Sequence, residues 1–207
     1  MQIVFKACSV ELSKKMLVNV NSVIEESVKT KERLMQLSNT IAELGLLISN
    51  CINNGGKVFF FGNGGSAADA QHISAELVGK YQDKRKGLPS VAFTTNTSIL
   101  TAIGNDFGHE FVFERQVESI VSPDDVVVGI STSGESPSIT NGIIASKKIG
   151  AKTICLTGEK GGKLADIADI TLRVPSQNIQ RIQECHILVG HIICDIVEKN
   201  LDQKFKI

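Results

Sequence analysis

Residues 57–80 read KVFFFGNGGSAADAQHISAELVGK. A short run of one valine and three phenylalanines is cut off by three glycines. A longer stretch of good helix formers follows, with no proline in it. Short, β-branched or aromatic and glycine-terminated, then long and helical, is the signature of a β-turn-α unit. The pattern recurs along the chain. Strands are expected at Lys57–Phe61, Ser90–Thr94, Asp125–Ile130, Lys152–Thr157 and Ile170–Val174. Helices are expected at Ser66–Lys80, Ser98–Ile103, His109–Ile120, Ser136–Ile149 and Ile179–Leu201. Alternating β and α elements give an α/β, doubly wound fold: a five-stranded parallel sheet flanked by helices on both faces. Ligands then bind beyond the carboxyl ends of the strands.

Upstream, residues 1–54 read as an N-terminal helical extension. Leu34, Leu37, Ile41, Leu44, Leu47 and Ile48 fall at helical spacing, and Asn53-Asn54-Gly55-Gly56 ends the run. Residues 55–207 form the remaining globular unit. The 207 residues are 42% hydrophobic and 21% charged, with 22 Lys+Arg against 22 Asp+Glu. That balance supplies no field for nucleic acid or a membrane surface. No apolar run approaches the roughly 20 residues of a membrane helix, and the opening MQIVFKACSVELSKK is too short in apolar residues for a signal peptide. One Tyr and no Trp leave little to stack bases on. The five cysteines, Cys8, Cys51, Cys155, Cys185 and Cys194, show no CxxC spacing. A reducing, cytoplasmic setting follows as the expectation, without disulfides.

Two loops at strand ends suit a phosphate ester. The first, Gly62-Asn63-Gly64-Gly65-Ser66, permits close backbone approach, with Ser66 at the expected N-cap. The second, Ser131-Thr132-Ser133-Gly134-Glu135-Ser136, offers four hydroxyls at a helix start, with Ser136 as N-cap and Pro137 as first helical residue. It holds no Lys or Arg, which suits a monoester better than a polyphosphate. The Glu135 side chain is expected to point away.

The helix after the first loop carries His72 and Glu76 at i, i+4, on one face. Such a pair can share a divalent metal or a proton-transfer task. The last helix carries Gln183, His186 and His191. Spacing does not rank the two histidines. Gln183 and His191, eight apart, lie about 12 Å apart along the helix axis; they reach one centre only with side chains leaning together, or from different subunits.

Taken together, Gly62–Ser66 with His72 and Glu76, Asn105-Asp106, Ser131–Ser136, and Arg181–His186 with His191 resemble the bacterial phosphoheptose isomerases of the sugar isomerase (SIS) domain family. The resemblance runs from about residue 30 to about residue 200. It implies an aldose–ketose isomerase that converts sedoheptulose 7-phosphate to D-glycero-D-manno-heptose 7-phosphate, opening the route to activated heptose for lipopolysaccharide or other surface glycans. It implies substrate contacts at Asn63, Gly64, Gly65, Glu76, Asn105, Asp106, Ser131, Thr132, Ser133, Ser136 and Gln183. It implies one zinc per subunit on His72, Glu76, Gln183 and His191, with Glu76 and His191 as the acid–base pair. A homotetramer with active sites at subunit contacts is implied as well. Two positions depart from the pattern: Gln180, where some members carry Asp, and Glu135, often Asn. Two other readings compete: a non-catalytic SIS regulator that contacts the replication initiator, and an isomerase of another sugar phosphate. The relatives of the regulatory kind lack counterparts of Glu76 and His191, which are present here.

Overall fold

The computed structural model describes residues 14–207. Residues 1–13, with Cys8 and most of the opening apolar run, lie outside the described residues. The five strands are β1 (Val58–Gly62), β2 (Ser90–Ala92), β3 (Val126–Ser131), β4 (Lys152–Gly158) and β5 (Ile170–Val174). All pair in parallel, in the order β2-β1-β3-β4-β5. The eight helices among the described residues are α1 (Lys14–Leu34), α2 (Ser38–Asn53), α3 (Gly65–Val78), α4 (Thr97–Asp106), α5 (Glu114–Ile120), α6 (Pro137–Ile149), α7 (Gly162–Ile167) and α8 (Ile179–Lys199). None is long and apolar enough to cross a membrane.

Side chains alternate across a strand, so each sheet face makes its own core. Val58, Phe60, Val126, Val128, Ile130, Ile154 and Leu156 share one core with α2, α3 and α8. Phe59, Phe61, Val127 and Cys155 share the other with Phe93, Phe113, Ile139 and Ile143. Phe61 stacks on Phe113 at 4.9 Å between ring centroids, and Phe59 on Phe93 at 5.1 Å. Each such side chain contributes on the order of 1.5–3 kcal/mol through burial. The stripe on α2 faces the first core, where Ile41, Leu44, Ile48 and Ile52 are buried. The described cysteines, Cys51, Cys155, Cys185 and Cys194, are buried free thiols.

Local departures from the sequence reading have local causes. The helix expected at His109–Ile120 divides into a 3-10 turn at His109–Phe111 and α5. Gly108, at φ 104°, sets the entry to that turn. The stripe expected to run unbroken through residues 32–52 is interrupted by a 3-10 turn at Met35–Leu37. Short α7 was not anticipated: six residues behind Gly161-Gly162 carry too little periodicity to read. Ser66 is not an N-cap but lies buried inside α3, and Gly64 takes the cap position at φ 57°.

Strand order reverses between β1 and β3, because α3 leads outward to β2 whereas the chain then returns to the other side of β1. This is the switch point at which an open parallel sheet leaves a crevice. The two loops singled out above leave the sheet there, at Gly62 and Ser131, which mark the ends of β1 and β3.

Candidate active site

Asn63 joins the two loops. Its amide donates to Ser136 Oγ and to Ser138 Oγ, each at 2.9 Å. Ser136 is the N-cap of α6 with Pro137 behind it, but its hydroxyl makes no capping bond. That hydroxyl is turned into the crevice instead, which a purely capping serine would not do. Ser131 Oγ accepts from the Gly134 N–H at 3.2 Å and keeps its own proton to donate. Asn63, Ser66, Ser131, Thr132, Ser133, Ser136 and Gln183 line a polar cavity of about 170 Å³. Both α3 and α6 begin at this cavity, so two helix N-termini favour negative charge in it. A larger cleft of about 370 Å³ continues from Thr132 and Ser133 to Lys160, Gln177 and Ile179.

Close backbone packing shapes the cavity walls. A Cβ on Gly65 would lie 2.5 Å from Gln183 Nε2, so glycine there lets α8 bring the amide against the loop. Gly134 sits at φ 71°, and a Cβ would lie 1.9 Å from the Gly161 carbonyl oxygen. Gly134→Ala is expected to cost about 1–3 kcal/mol of stability, checked by urea denaturation; a variant as stable as the parent would refute this account. Glu135 turns outward as anticipated, and its Oε1 accepts from the Lys163 N–H.

The second group lies further along α3. His72 Nε2 is 3.2 Å from Glu76 Oε1 and 3.5 Å from His191 Nε2. The His72 and His191 rings meet edge to face at 5.0 Å. One ligand atom from each of His72, Glu76 and His191 lies within 4.8 Å of the other two. A tetrahedral zinc shell with bonds of about 2.1 Å separates its ligand atoms by roughly 3.4 Å, so the set fits that metal. All three residues come from one chain.

The structure also ranks the histidines that spacing left level. His186 is fully buried, with Nε2 3.2 Å from the Thr157 carbonyl oxygen and Nδ1 without a partner among the described residues. Burial pushes its pKa down to about 4, against the smaller opposing effect of the carbonyl contact. It is a neutral core residue. His191 is the one that reaches His72 and Glu76.

Two expected contacts stand elsewhere. Asn105 and Asp106 end α4, are exposed, bond to each other at 2.8 Å, and are not among the residues lining the polar cavity. Gln183 lies in that cavity against Gly65. Ser138 was missed by sequence reasoning, although its place two residues after Ser136 in a Ser-Pro-Ser start was a usable signal.

Such a fold and site define a parallel α/β domain with a polar cavity at its strand ends and a His–Glu–His group further along α3. The SIS domain family matches residues 23–158. The phosphoheptose isomerase of Aquifex aeolicus is 50% identical over 185 residues, covering 89% of this chain and 97% of its own. That of Geotalea daltonii is 48% identical, covering 90% and 97%. Among solved structures, the phosphoheptose isomerase of Francisella tularensis superposes with a TM-score of 0.86 at 37% identity, covering 88% of this chain and 98% of its own. That of Neisseria gonorrhoeae gives 0.83 at 40%, covering 89% and 99%. The chain belongs to the SIS domain family and, within it, to the phosphoheptose isomerases.

Proposed function

We propose that this isomerase converts sedoheptulose 7-phosphate to D-glycero-D-manno-heptose 7-phosphate through an enediol. The observation that carries this reading is the distance between the two halves of the site. From Gly65, at the phosphate-type cavity, to His72 is seven residues of α3, or about 10 Å of rise. An open seven-carbon chain with its ester oxygen spans on the order of 9–10 Å at C–C bond lengths of about 1.5 Å. A 7-phosphate anchored at Ser131, Thr132, Ser133 and Ser136 therefore presents C1 and C2 to the His–Glu–His group.

Glu76 takes a proton from C1 of the ketose while His191 protonates the carbonyl oxygen at C2. The resulting enediol loses its O1 proton and regains a proton at C2, which leaves the aldose. Each group contributes on the order of 10²–10⁴-fold. Asn63 and the loop hydroxyls hold the far end so that the reacting carbons cannot drift. Zinc would sit on His72, Glu76 and His191; Gln183, the fourth ligand that the resemblance implies, would have to swing its amide away from Gly65 to join them. When bound, it supplies Lewis-acid polarisation of the substrate oxygens. The exposed Asn105 and Asp106 are the part of the contact set that a neighbouring subunit would have to receive, in keeping with a homotetramer whose sites lie at subunit contacts. A cytoplasmic location and delivery of the product to surface-glycan heptose belong to the same reading.

Purified protein should isomerise sedoheptulose 7-phosphate, seen by NMR of the product, and leave hexulose 6-phosphates largely untouched. Equal turnover of both would overturn the substrate assignment. Ser131→Ala and Ser136→Ala should each raise KM about tenfold, the worth of one hydrogen bond to a charged group, with kcat little changed. Steady-state kinetics checks this, and unchanged KM in both variants would remove the phosphate from that cavity.

A further inference from the structure

An ion pair beneath the His–Glu–His group takes no part in the scheme above. Arg85 Nε lies 2.8 Å from Glu198 Oε1, and both side chains are only 3% exposed. The guanidinium also donates to main-chain carbonyls at the end of α3: Glu76 at 2.8 Å and Leu77 at 2.7 Å. A further bond goes to the carbonyl of Lys86 at 3.1 Å. The carboxylate in turn accepts from three successive N–H groups, those of Tyr81, Gln82 and Asp83, at 2.9, 2.9 and 3.1 Å. Burial favours the protonated form of Glu198, but those N–H groups and then the Arg85 cation outweigh it and hold the carboxyl below its usual range.

The geometry links the proposed acid and base from below. Arg85 grips α3 at Glu76 itself. Glu198 lies seven residues after His191, two turns along the same face of α8. Tyr81, whose N–H is held by Glu198, sets its ring 5.9 Å from the ring of His191. The chain end lies over the loop, where the Lys86 N–H donates to the Phe205 carbonyl and Lys86 Nζ to that of Lys204.

Stability alone is a poor reason for such a pair. Removing two opposite charges from water costs about as much as their attraction returns, and apolar replacements are often neutral or better. What the pair supplies and an apolar pair could not is direction. Its bonds run from a side chain of α8, Glu198, through Arg85 to main-chain carbonyls of α3 at Glu76 and Leu77, and to three successive N–H groups of the loop after α3.

We propose that Arg85 and Glu198 are positioning residues that set the separation of Glu76 and His191 and seat Tyr81 against the His191 ring. The proposal rests on Glu76 and His191 being the acid–base pair. Two variants test it. Glu198→Gln keeps the shape but removes the charge, and Arg85→Lys keeps the cation but loses most of the carbonyl contacts. Each should lower kcat at least about tenfold, because small displacements at a reacting centre are costly, while KM stays within about twofold. In metal-free protein, NMR cross-peaks between the ring protons of His72, His191 and Tyr81 should weaken in both. Val117→Ala, in the core of the opposite sheet face, serves as the control: it should lower thermal stability yet keep kcat and the cross-peaks. Folded variants with kcat near that of the parent, or with ring contacts unchanged, would overturn the proposal. Failure of both variants to fold would also overturn it, since the pair would then serve the fold and not the site. If the parent protein shows no heptose phosphate turnover, the functional reading fails, and the ring contacts still decide the positioning role.

Discussion

Glu76→Gln should lower kcat by about 10²–10⁴-fold, the usual worth of a general base, while KM for sedoheptulose 7-phosphate stays within about threefold. The amide has the shape of the carboxylate and can still bond to His72, which now lies 3.2 Å away. It cannot accept a proton from carbon. The proposed phosphate cavity lies about three helical turns from Glu76 along α3, so the two kinetic constants should separate. The same variant should stop exchange of the C1 proton with solvent, followed by NMR in deuterium oxide. Loss of net turnover with exchange intact would mean that another group is the base. A kcat within about tenfold of the parent would remove Glu76 from the chemistry.

The fold was largely legible because parallel sheets impose a strong pattern. Strands buried on both faces must be apolar throughout, as Phe59, Phe60 and Phe61 are, and each must end in a turn that feeds a helix. The loops were legible for the same reason: their position at strand ends follows from topology. His72 and Glu76 were readable as a pair because one helix sets their spacing. What joins them was not. His191 comes from a helix more than a hundred residues later, and its reach to His72 depends on how α8 crosses α3. The same holds for Arg85 and Glu198, whose contact exists only in the fold. One clue was available: Glu198 repeats the His191 face of α8 on an apolar helix side, where an unpaired carboxylate would be costly. Ser66 misled because an N-cap serine and a buried serine at the second helical position look alike in sequence; only the positive φ of Gly64 decides where the helix starts.

His186 should make the protein weaker in mild acid, and this follows from the burial that excludes it from the site. In the folded chain its pKa is pushed from 6.5 to about 4, so it stays neutral where the unfolded chain takes up a proton. Above pH 6.5 neither state binds that proton, and the contribution to stability is fully retained. As pH falls from 6.5 toward 4, the unfolded state gains protons that the folded state refuses, and stability declines. Linkage sets the loss at about 2 kcal/mol by pH 5 and about 3 kcal/mol once both states are protonated. The carboxylates held low in the fold, Asp169, Glu184 and Glu198, act in the same direction but only as the pH drops below the ordinary carboxylate range. The window from pH 6.5 to 5 therefore belongs mainly to histidine. His186→Gln keeps an N–H to offer the Thr157 carbonyl and has no proton to gain there. Urea unfolding at several pH values should show a shallower slope for this variant across that window, whatever its stability at pH 7.5. Equal slopes for the two proteins would mean that His186 is protonated in the folded chain, and the assignment of His186 to the core and His191 to the site would lose its electrostatic support.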